Sequence, residues 1–209
     1  KMSHSGSSIL MMQSFEKFEA CLDQCKGNSN LKAVVIWEAG ESQVAKYAKL
    51  GFRVLTWNGL LKLGKDSGKE DELESRMAAQ KPGSVCAYIY TSGTTGDPKG
   101  VVYHHRGACL LAQGNAITAS LPKHAVYLWT LPMFHCNGWC FPWTLSVVTG
   151  THICLREVRA DAIWSALTEH QVTHLCGAPV VMSTILAAHE HKRELTKAVE
   201  FFTAAAPPP

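Results

Sequence analysis

Short apolar runs recur along the chain, and more polar segments separate them. The runs are rich in β-branched and aromatic residues and are bounded by Gly, Pro, Asn or Ser, which is typical of buried strands. Strands are therefore predicted at residues 31–37, 52–56, 85–90, 101–104, 125–131, 151–155, 172–176 and 199–203. Helices are predicted between them, at residues 42–50, 57–63, 72–80, 105–119 and 139–148, after Asp161, and from Pro179 to residue 189.

This alternation predicts an α/β fold with a mainly parallel sheet and helices on both faces. Residues 31–56 fit one crossover unit, in which a helix connects two neighbouring parallel strands. In such sheets, ligands bind beyond the carboxyl ends of the strands. Residues 91–100, 132–139 and 204–209 each follow a predicted strand. These three segments are therefore the candidates for a functional site.

The first 30 residues show a weaker pattern. A partial helical period runs through them and is interrupted by polar residues; its apolar members are Ile9, Leu10, Phe15, Phe18 and Leu22. We expect residues 1–30 to form a weakly ordered lead segment with one weak helix.

The composition is that of a packed globular protein. Hydrophobic residues make up 46% and charged residues 18% of the 209 positions. Such a chain is too apolar and too weakly charged to be disordered. The net charge is only +3, and the basic residues form no block or stripe. No nucleic-acid partner is therefore expected.

The eight cysteines are interpreted as reduced thiols in an intracellular, cytoplasmic setting. Cys86 and Cys154 lie in apolar runs, where a thiol behaves as a small hydrophobic group. Cys21 with Cys25, and Cys136 with Cys140, have the spacing of half a zinc site. A zinc site normally needs two tight pairs brought together, so core cysteines are favoured and no metal ligand is assigned.

No secretory signal or transmembrane segment is predicted. The first residues lack a long apolar core. The most apolar run, at residues 139–148, contains Pro142 and is too short to span a bilayer. Peripheral contact with a membrane surface or an organelle is left open. The chain begins at Lys1 and ends on three prolines, and both ends are interpreted as cuts.

The strongest local signal is the segment that follows the strand at residues 85–90. It reads Tyr-Thr-Ser-Gly-Thr-Thr-Gly-Asp-Pro-Lys-Gly from Tyr90 to Gly100. Its glycines let backbone N–H groups approach an anion, its hydroxyl groups add donors, and Lys99 adds a positive charge. The spacing fits neither the Walker loop nor the dinucleotide-binding glycine motif. The segment is therefore predicted to bind phosphate.

This run resembles, position for position, the phosphate-binding signature of the adenylate-forming superfamily, which includes the acyl-CoA synthetases. The resemblance extends over essentially the whole chain. Residues 31–103 look like bubblegum-type long-chain acyl-CoA synthetases, and residues 103–209 look like short- and medium-chain acyl-activating enzymes. It implies that the loop wraps the phosphates of ATP through Thr91, Ser92, Gly93, Thr94, Thr95, Gly96, Asp97, Pro98 and Lys99.

The other two segments also have counterparts in this superfamily. The resemblance places His135 near the acyl carboxylate and the α-phosphate, where an imidazole can donate to developing negative charge. Phe134 and Trp139 would line the acyl pocket, although packing in the core is nearly as good a reading. The small residues at the end of the chain would contact adenine; they are Ala204, Ala205, Ala206 and Pro207.

The reaction implied by the resemblance has two halves. A fatty acid or other carboxylate attacks ATP to give an acyl-adenylate, and the thiol of CoA then displaces AMP. Mg²⁺ would be bound mainly through the phosphates. Residues 1–209 are then expected to be an incomplete N-terminal adenylation domain without the C-terminal domain, and the isolated chain is expected to be inactive. Two alternatives stay open: a non-catalytic ATP-binding or interaction fragment, and an adenylating enzyme with an acceptor other than CoA.

Overall fold

The computed structural model describes residues 2–91 and 96–203. Contacts between Cα atoms divide the chain into two compact units. Unit 1 comprises Lys1–Lys81 and Tyr90–Gly100, and unit 2 comprises Pro82–Ile89 and Val101–Pro209. Each unit has its own core, so the two are described separately.

Unit 1 is built on a three-stranded parallel sheet in the order β1-β2-β3. Its elements are α1 (Met2–Ser5), β1 (Ile9–Met12), α2 (Phe15–Ala20), α3 (Leu22–Lys26), β2 (Ala33–Ile36), α4 (Glu41–Val44), a 3-10 turn (Ala45–Tyr47), β3 (Arg53–Thr56), α5 (Trp57–Lys65) and α6 (Glu70–Ala78). The register pairs Ala33 with Arg53 and continues to Ile36 with Thr56. The predicted crossover at residues 31–56 is therefore confirmed.

The core of unit 1 forms where α2 and α3 cover one face of this sheet. Val34 and Ile36 point to that face and are fully buried with Phe18 and Cys25. Val35 points to the opposite face, because side chains alternate along a strand, and it is only 1% exposed. The central strand is thus buried on both faces, which explains its continuous apolar run.

Residues 1–30 contain helix, as the sequence predicts, and also a strand that it does not predict. Ile9–Met12 form β1, an edge strand that pairs in parallel with β2. Phe18 is completely buried and Cys25 is 2% exposed, so this segment supplies part of the core of unit 1. The strand is hard to recognise in the sequence because it has only four residues, fewer than the usual five or six. Its exposed positions, Ile9 and Met11, are also apolar, so the alternation of apolar and polar residues is missing.

Unit 2 is built on a four-stranded parallel sheet in the order β7-β6-β8-β9. Its elements, after a strand pair described below, are α7 (His105–Thr118), β6 (Val126–Trp129), α8 (Cys136–Trp139), α9 (Phe141–Val147), β7 (Thr151–Cys154), α10 (Ala160–Glu169), β8 (His174–Gly177), α11 (Pro179–Ala187) and β9 (Glu200–Thr203).

The two faces of this sheet are both covered by helices, as the sequence predicts. On one face, Tyr127 and Trp129 of β6 pack with Phe141 and Leu145 of α9. On the other face, Leu128 packs in a second cluster, which includes Ile163 and Leu167 of α10 and Val181 of α11. The mainly parallel sheet and the α/β class are therefore confirmed for this unit.

The remaining strands, β4 (Val85–Tyr90) and β5 (Gly100–His104), pair with each other in a sheet of their own. The described residues thus form three sheets where the sequence suggests one. Periodicity shows which segments are strands, whereas the partner of each strand is set by hydrogen bonds between distant residues. The helix predicted at residues 139–148 is also interrupted, since Cys140 takes a left-handed conformation with φ 65° between α8 and α9.

Candidate functional site

One edge of the unit 2 sheet collects the carboxyl ends of β6, β8 and β9. The register pairs Trp129 with Cys176 and Gly177 with Thr203, so these strands end side by side. The hydroxyl of Thr130, just beyond β6, donates to the carbonyl of Cys176 at 2.6 Å. Thr130 is only 4% exposed. This bond ties the start of the segment at residues 132–139 to the neighbouring strand.

His135 lies in a tight turn on that segment. Its N–H donates to the carbonyl of Pro132 at 3.1 Å, and its own carbonyl accepts from the N–H of Gly138 at 2.9 Å. The imidazole is exposed at the surface of the unit. The backbone of His135 is therefore held by two hydrogen bonds, while its side chain is exposed.

The two aromatic residues predicted to line a pocket behave differently. Phe134 leaves 80% of its surface exposed, so the described residues do not enclose it. Trp139 is half-buried and packs against the core cluster that contains Tyr127 and Phe141. Trp139 was considered above both as a pocket residue and as a core residue. Its contacts in this structure are with the core.

The backbone from Gly138 to Cys140 turns with a left-handed twist. Three successive residues have positive φ: Gly138 at 58°, Trp139 at 53° and Cys140 at 65°. For a residue that carries a side chain, this conformation is less favourable than the right-handed one by about 1–2 kcal/mol of free energy. Gly138 also lies so close to the ring of Trp129 that an added Cβ would stand 2.8 Å from its Cζ3 atom. The turn is therefore an unfavourable local conformation that surrounding contacts must hold.

Two side chains from neighbouring helices hold this turn. The side-chain amide of Asn115, on α7, donates to the carbonyl of Trp139 at 2.9 Å. Thr144, completely buried on α9, donates to the carbonyl of Cys140 through its N–H at 3.1 Å and its hydroxyl at 3.0 Å. Sequence reasoning did not select Asn115. Its one signal is that it follows the buried Ala108 and Ala112 at helical spacing, on the face of α7 directed to the core.

The phosphate-binding segment lies in unit 1, and the structure describes its two ends. The N–H of Thr91 donates to the carbonyl of Lys99 at 3.0 Å, which closes the base of the loop. Gly96 has φ 110°, a conformation that favours glycine. Asp97, Pro98 and Lys99 are exposed. Ser92, Gly93, Thr94 and Thr95 lie outside the described residues.

Lys99 lies near the end of the loop and is exposed. Its exposed ammonium forms no ion pair with any residue in the described ranges 2–91 and 96–203. At the start of the loop, the Tyr90 hydroxyl lies 2.7 Å from Nδ1 of His4, and the Tyr90 ring packs under Gly100. The aromatic ring thus packs against the base of the loop.

The third predicted segment, Ala204, Ala205, Ala206 and Pro207, lies outside the described residues. β9 ends immediately before it at Thr203. The hydroxyl of Thr203 is buried and has no hydrogen-bond partner among the described residues.

The histidine pair that follows β5 has a structural role. His104 is the N-cap of α7, and its Nδ1 accepts from the N–H of Gly107 at 2.7 Å. An N-cap acceptor satisfies one of the N–H groups that the first helical turn leaves free. His104 therefore stabilises the start of α7, the helix predicted at residues 105–119.

The buried titratable groups of unit 2 are held neutral. Burial raises the pKa of the Cys176 thiol to about 11 and also raises the pKa of the Tyr127 hydroxyl beside it. Burial lowers the pKa of His174 below its usual value. Each shift disfavours the charged form. These groups therefore serve the core and are poor candidates for nucleophiles or general bases.

A metal site is not formed by the described side chains. No three His, Cys, Asp or Glu side chains come together within residues 2–91 and 96–203. The sulfur atoms of Cys21 and Cys25 lie 3.8 Å apart in the core of unit 1. Burial is the main cause that raises the pKa of Cys25 to about 11, which keeps it a thiol. No helix in the described part of the chain has the length and apolarity needed to cross a bilayer.

An open cavity of about 600 Å³ lies away from all the predicted site residues. It is in unit 1, at the amino ends of β2 and β3, and its lining includes Leu31, Lys32 and Arg53. Ligands of parallel α/β sheets bind at the opposite, carboxyl ends. The cavity therefore adds nothing to the site described above.

Comparison with curated proteins gives relatives that are CoA ligases by name. A peroxisomal acetate/butyrate–CoA ligase of Arabidopsis thaliana is 53% identical over 122 residues, which cover 57% of this chain and 21% of that protein. The peroxisomal protein named "Probable acyl-activating enzyme 5" of the same plant is 41% identical over 172 residues, which cover 82% of this chain and 29% of that protein. The chain thus spans less than a third of the length of either relative.

The fold is also similar to a solved structure, the N-terminal domain of FACL13 from Mycobacterium tuberculosis. The TM-score is 0.65 at 18% identity, and the match covers 96% of this chain and 51% of that chain. A family model described as AMP-binding enzyme matches residues 2–209. The phosphate-loop sequence, the α/β architecture and this match agree, and the chain belongs to the AMP-binding enzyme family.

Proposed function

We propose that the chain carries the ATP-binding and carboxylate-binding part of an acyl-CoA ligase. The observation that carries the proposal is the loop from Thr91 to Gly100. It follows β4, is closed at its base by a backbone hydrogen bond, and presents the exposed Lys99 three residues after Gly96, which has a positive φ. Backbone N–H groups, hydroxyls and a lysine are the donors that phosphate oxygens need.

In the proposed reaction, this loop binds the phosphates of ATP. The donors are Thr91, Ser92, Thr94, Thr95 and Lys99. Lys99 contributes a full charge, and hydrogen bonds to charged groups contribute about 1.5–3 kcal/mol each. Ala204 to Pro207 are proposed to contact adenine, as the resemblance implies. Mg²⁺, held through the phosphate oxygens, would offset their charge during attack by the carboxylate.

His135 is proposed to face the carboxylate. Its fixed backbone and exposed ring allow the imidazole N–H to donate to the oxygen that gains negative charge. The relatives named as acetate/butyrate–CoA ligase and acyl-activating enzyme support a carboxylic acid as substrate and CoA as acceptor. They favour CoA over the other acceptors that the sequence alone leaves open, and they support a short aliphatic acid over a long one.

The proposed location is intracellular. The sequence analysis expects the cytoplasm, whereas both relatives are named as peroxisomal proteins. We extend the proposal to the peroxisome on that ground. Fluorescence microscopy of the full-length protein, labelled internally so that both termini stay free, would distinguish the two.

The test of the nucleotide role is a calorimetric titration of ATP into the wild type and Lys99→Ala. Loss of one charge-assisted contact should weaken binding by about 10- to 100-fold. Lys123→Ala is the matched control, because it removes the same charge from an exposed position in unit 2. Its affinity should equal that of the wild type. Equal affinities of all three proteins would remove Lys99 from the nucleotide site.

A further inference from the structure

Asn115 stands out because it is a half-buried polar residue on the helix face that otherwise packs with small side chains. Ala108 and Ala112 precede it on this face of α7 and are buried. Its carboxamide makes one bond that reaches across 24 residues, to the carbonyl of Trp139. A polar side chain in such a position needs a partner, and its partner here lies in the left-handed turn.

The carbonyl of Trp139 has no place in the helix that follows. α9 begins at Phe141, and its first backbone bond joins the N–H of Thr144 to the carbonyl of Cys140. The carbonyl of Trp139 is therefore left to Asn115. Without this bond the carbonyl of Trp139, a half-buried residue, would have no hydrogen-bond donor. An unpaired backbone carbonyl that is shielded from water lowers the stability of the fold.

The turn is connected to His135 through the backbone. Gly138, the first left-handed residue, donates its N–H to the carbonyl of His135. Trp139, the second, carries the carbonyl that Asn115 holds. One short chain of hydrogen bonds thus joins α7 to the histidine. A change at Asn115 is transmitted to His135 through two adjacent residues.

We propose that Asn115 is a positioning residue of the carboxylate site. It holds the turn from Gly138 to Cys140 in its left-handed form and thereby places the His135 imidazole toward the acyl group. The inference rests on the function proposed above, since it is the acyl group that this imidazole would meet. Asn115 itself touches no substrate.

The test uses two variants and one matched control. Asn115→Leu keeps the size of the side chain and removes the donor, and Asn115→Asp keeps the shape but presents an oxygen to the carbonyl of Trp139. Gln113→Leu is the control, because Gln113 is an exposed amide on the same helix. Within residues 2–91 and 96–203 its side chain bonds locally, at 3.4 Å from the sulfur of Cys109. Circular dichroism first establishes that each variant is folded.

The structural step is measured by amide hydrogen exchange of residues 138–141. Exchange should accelerate about tenfold in both Asn115 variants and remain unchanged in Gln113→Leu, in line with the loss of one hydrogen bond. This measurement needs no ligand. Unchanged exchange in the Asn115 variants would overturn the proposal whatever the function of the chain.

The functional step uses two probes, ATP and a butyryl-adenylate mimic in which a sulfamate replaces the phosphate. The Asn115 variants should bind the mimic about tenfold more weakly and bind ATP as the wild type does, a split that general destabilisation would not produce. Equal affinity of wild type and variants for the mimic overturns the positioning role and leaves the proposed function standing. A wild type that binds neither probe overturns the proposed function, and the role of Asn115 in a carboxylate site falls with it.

Discussion

Gly138→Ala gives a direct measure of the strain in the left-handed turn. The substitution places a methyl group on a residue with φ 58°. For alanine, that conformation is less favourable than it is for glycine by about 1–2 kcal/mol of free energy. The new Cβ would also lie 2.8 Å from Cζ3 of Trp129 and 3.3 Å from Cα of Met133. Neither contact is sterically acceptable without movement.

Trp129 has little freedom to move away. Its Nε1–H donates to Nδ1 of His152 at 2.9 Å, and its ring stacks on that imidazole with an angle of 3° between the planes. Its side chain is also part of the core cluster with Tyr127. Overpacking of this kind adds about 1–3 kcal/mol. The free energy of unfolding should therefore fall by roughly 2–5 kcal/mol in total.

The assay is urea unfolding followed by far-ultraviolet circular dichroism, with Gly114→Ala as the matched control. Gly114 is exposed within α7, and an added Cβ there meets no atom within 4 Å. Alanine in a helix interior is favoured over glycine by about 0.5–1 kcal/mol. The control should shift the unfolding midpoint upward while Gly138→Ala shifts it downward. A midpoint for Gly138→Ala at or above that of the wild type would refute the reasoning.

Two further predictions concern the histidines of unit 2. His104→Ala removes the acceptor that caps α7 and should lower the free energy of unfolding by about 1 kcal/mol, which His104→Asn should largely restore; urea unfolding measures both. Burial lowers the pKa of His174 from its usual 6.5. As the pH falls, the unfolded state therefore binds this proton before the folded state does. The contribution of His174 to the free energy of unfolding is present above pH 6.5 and decreases as the pH falls toward the lower pKa of the folded state. Melting temperatures between pH 7.5 and pH 5 should fall less steeply for His174→Gln than for the wild type, and equal slopes would contradict the assignment.

The sequence determined the strands of unit 2 well. Residues 125–131 and 172–176 were predicted as strands and contain β6 and most of β8. These strands are buried on both faces, so their apolar runs are continuous and easy to recognise. The position of His135 beyond the end of β6 followed from the same pattern, because the segment after a buried parallel strand lies at the ligand-binding edge. The loop chemistry was equally local, since its donors stand next to one another in the chain.

Tertiary structure alone decided the features that join distant residues. The strand at Ile9–Met12 forms because it pairs in parallel with β2. Its four residues alone are too few to predict a strand from the sequence. The left-handed turn is held because Asn115 and Thr144 donate hydrogen bonds to its carbonyls, and neither residue adjoins the turn in sequence. Local sequence patterns indicate which residues are buried and which segments are suited to bind phosphate. They do not record which hydrogen bonds will close across the fold, and it is these bonds that give the segment around His135 its conformation.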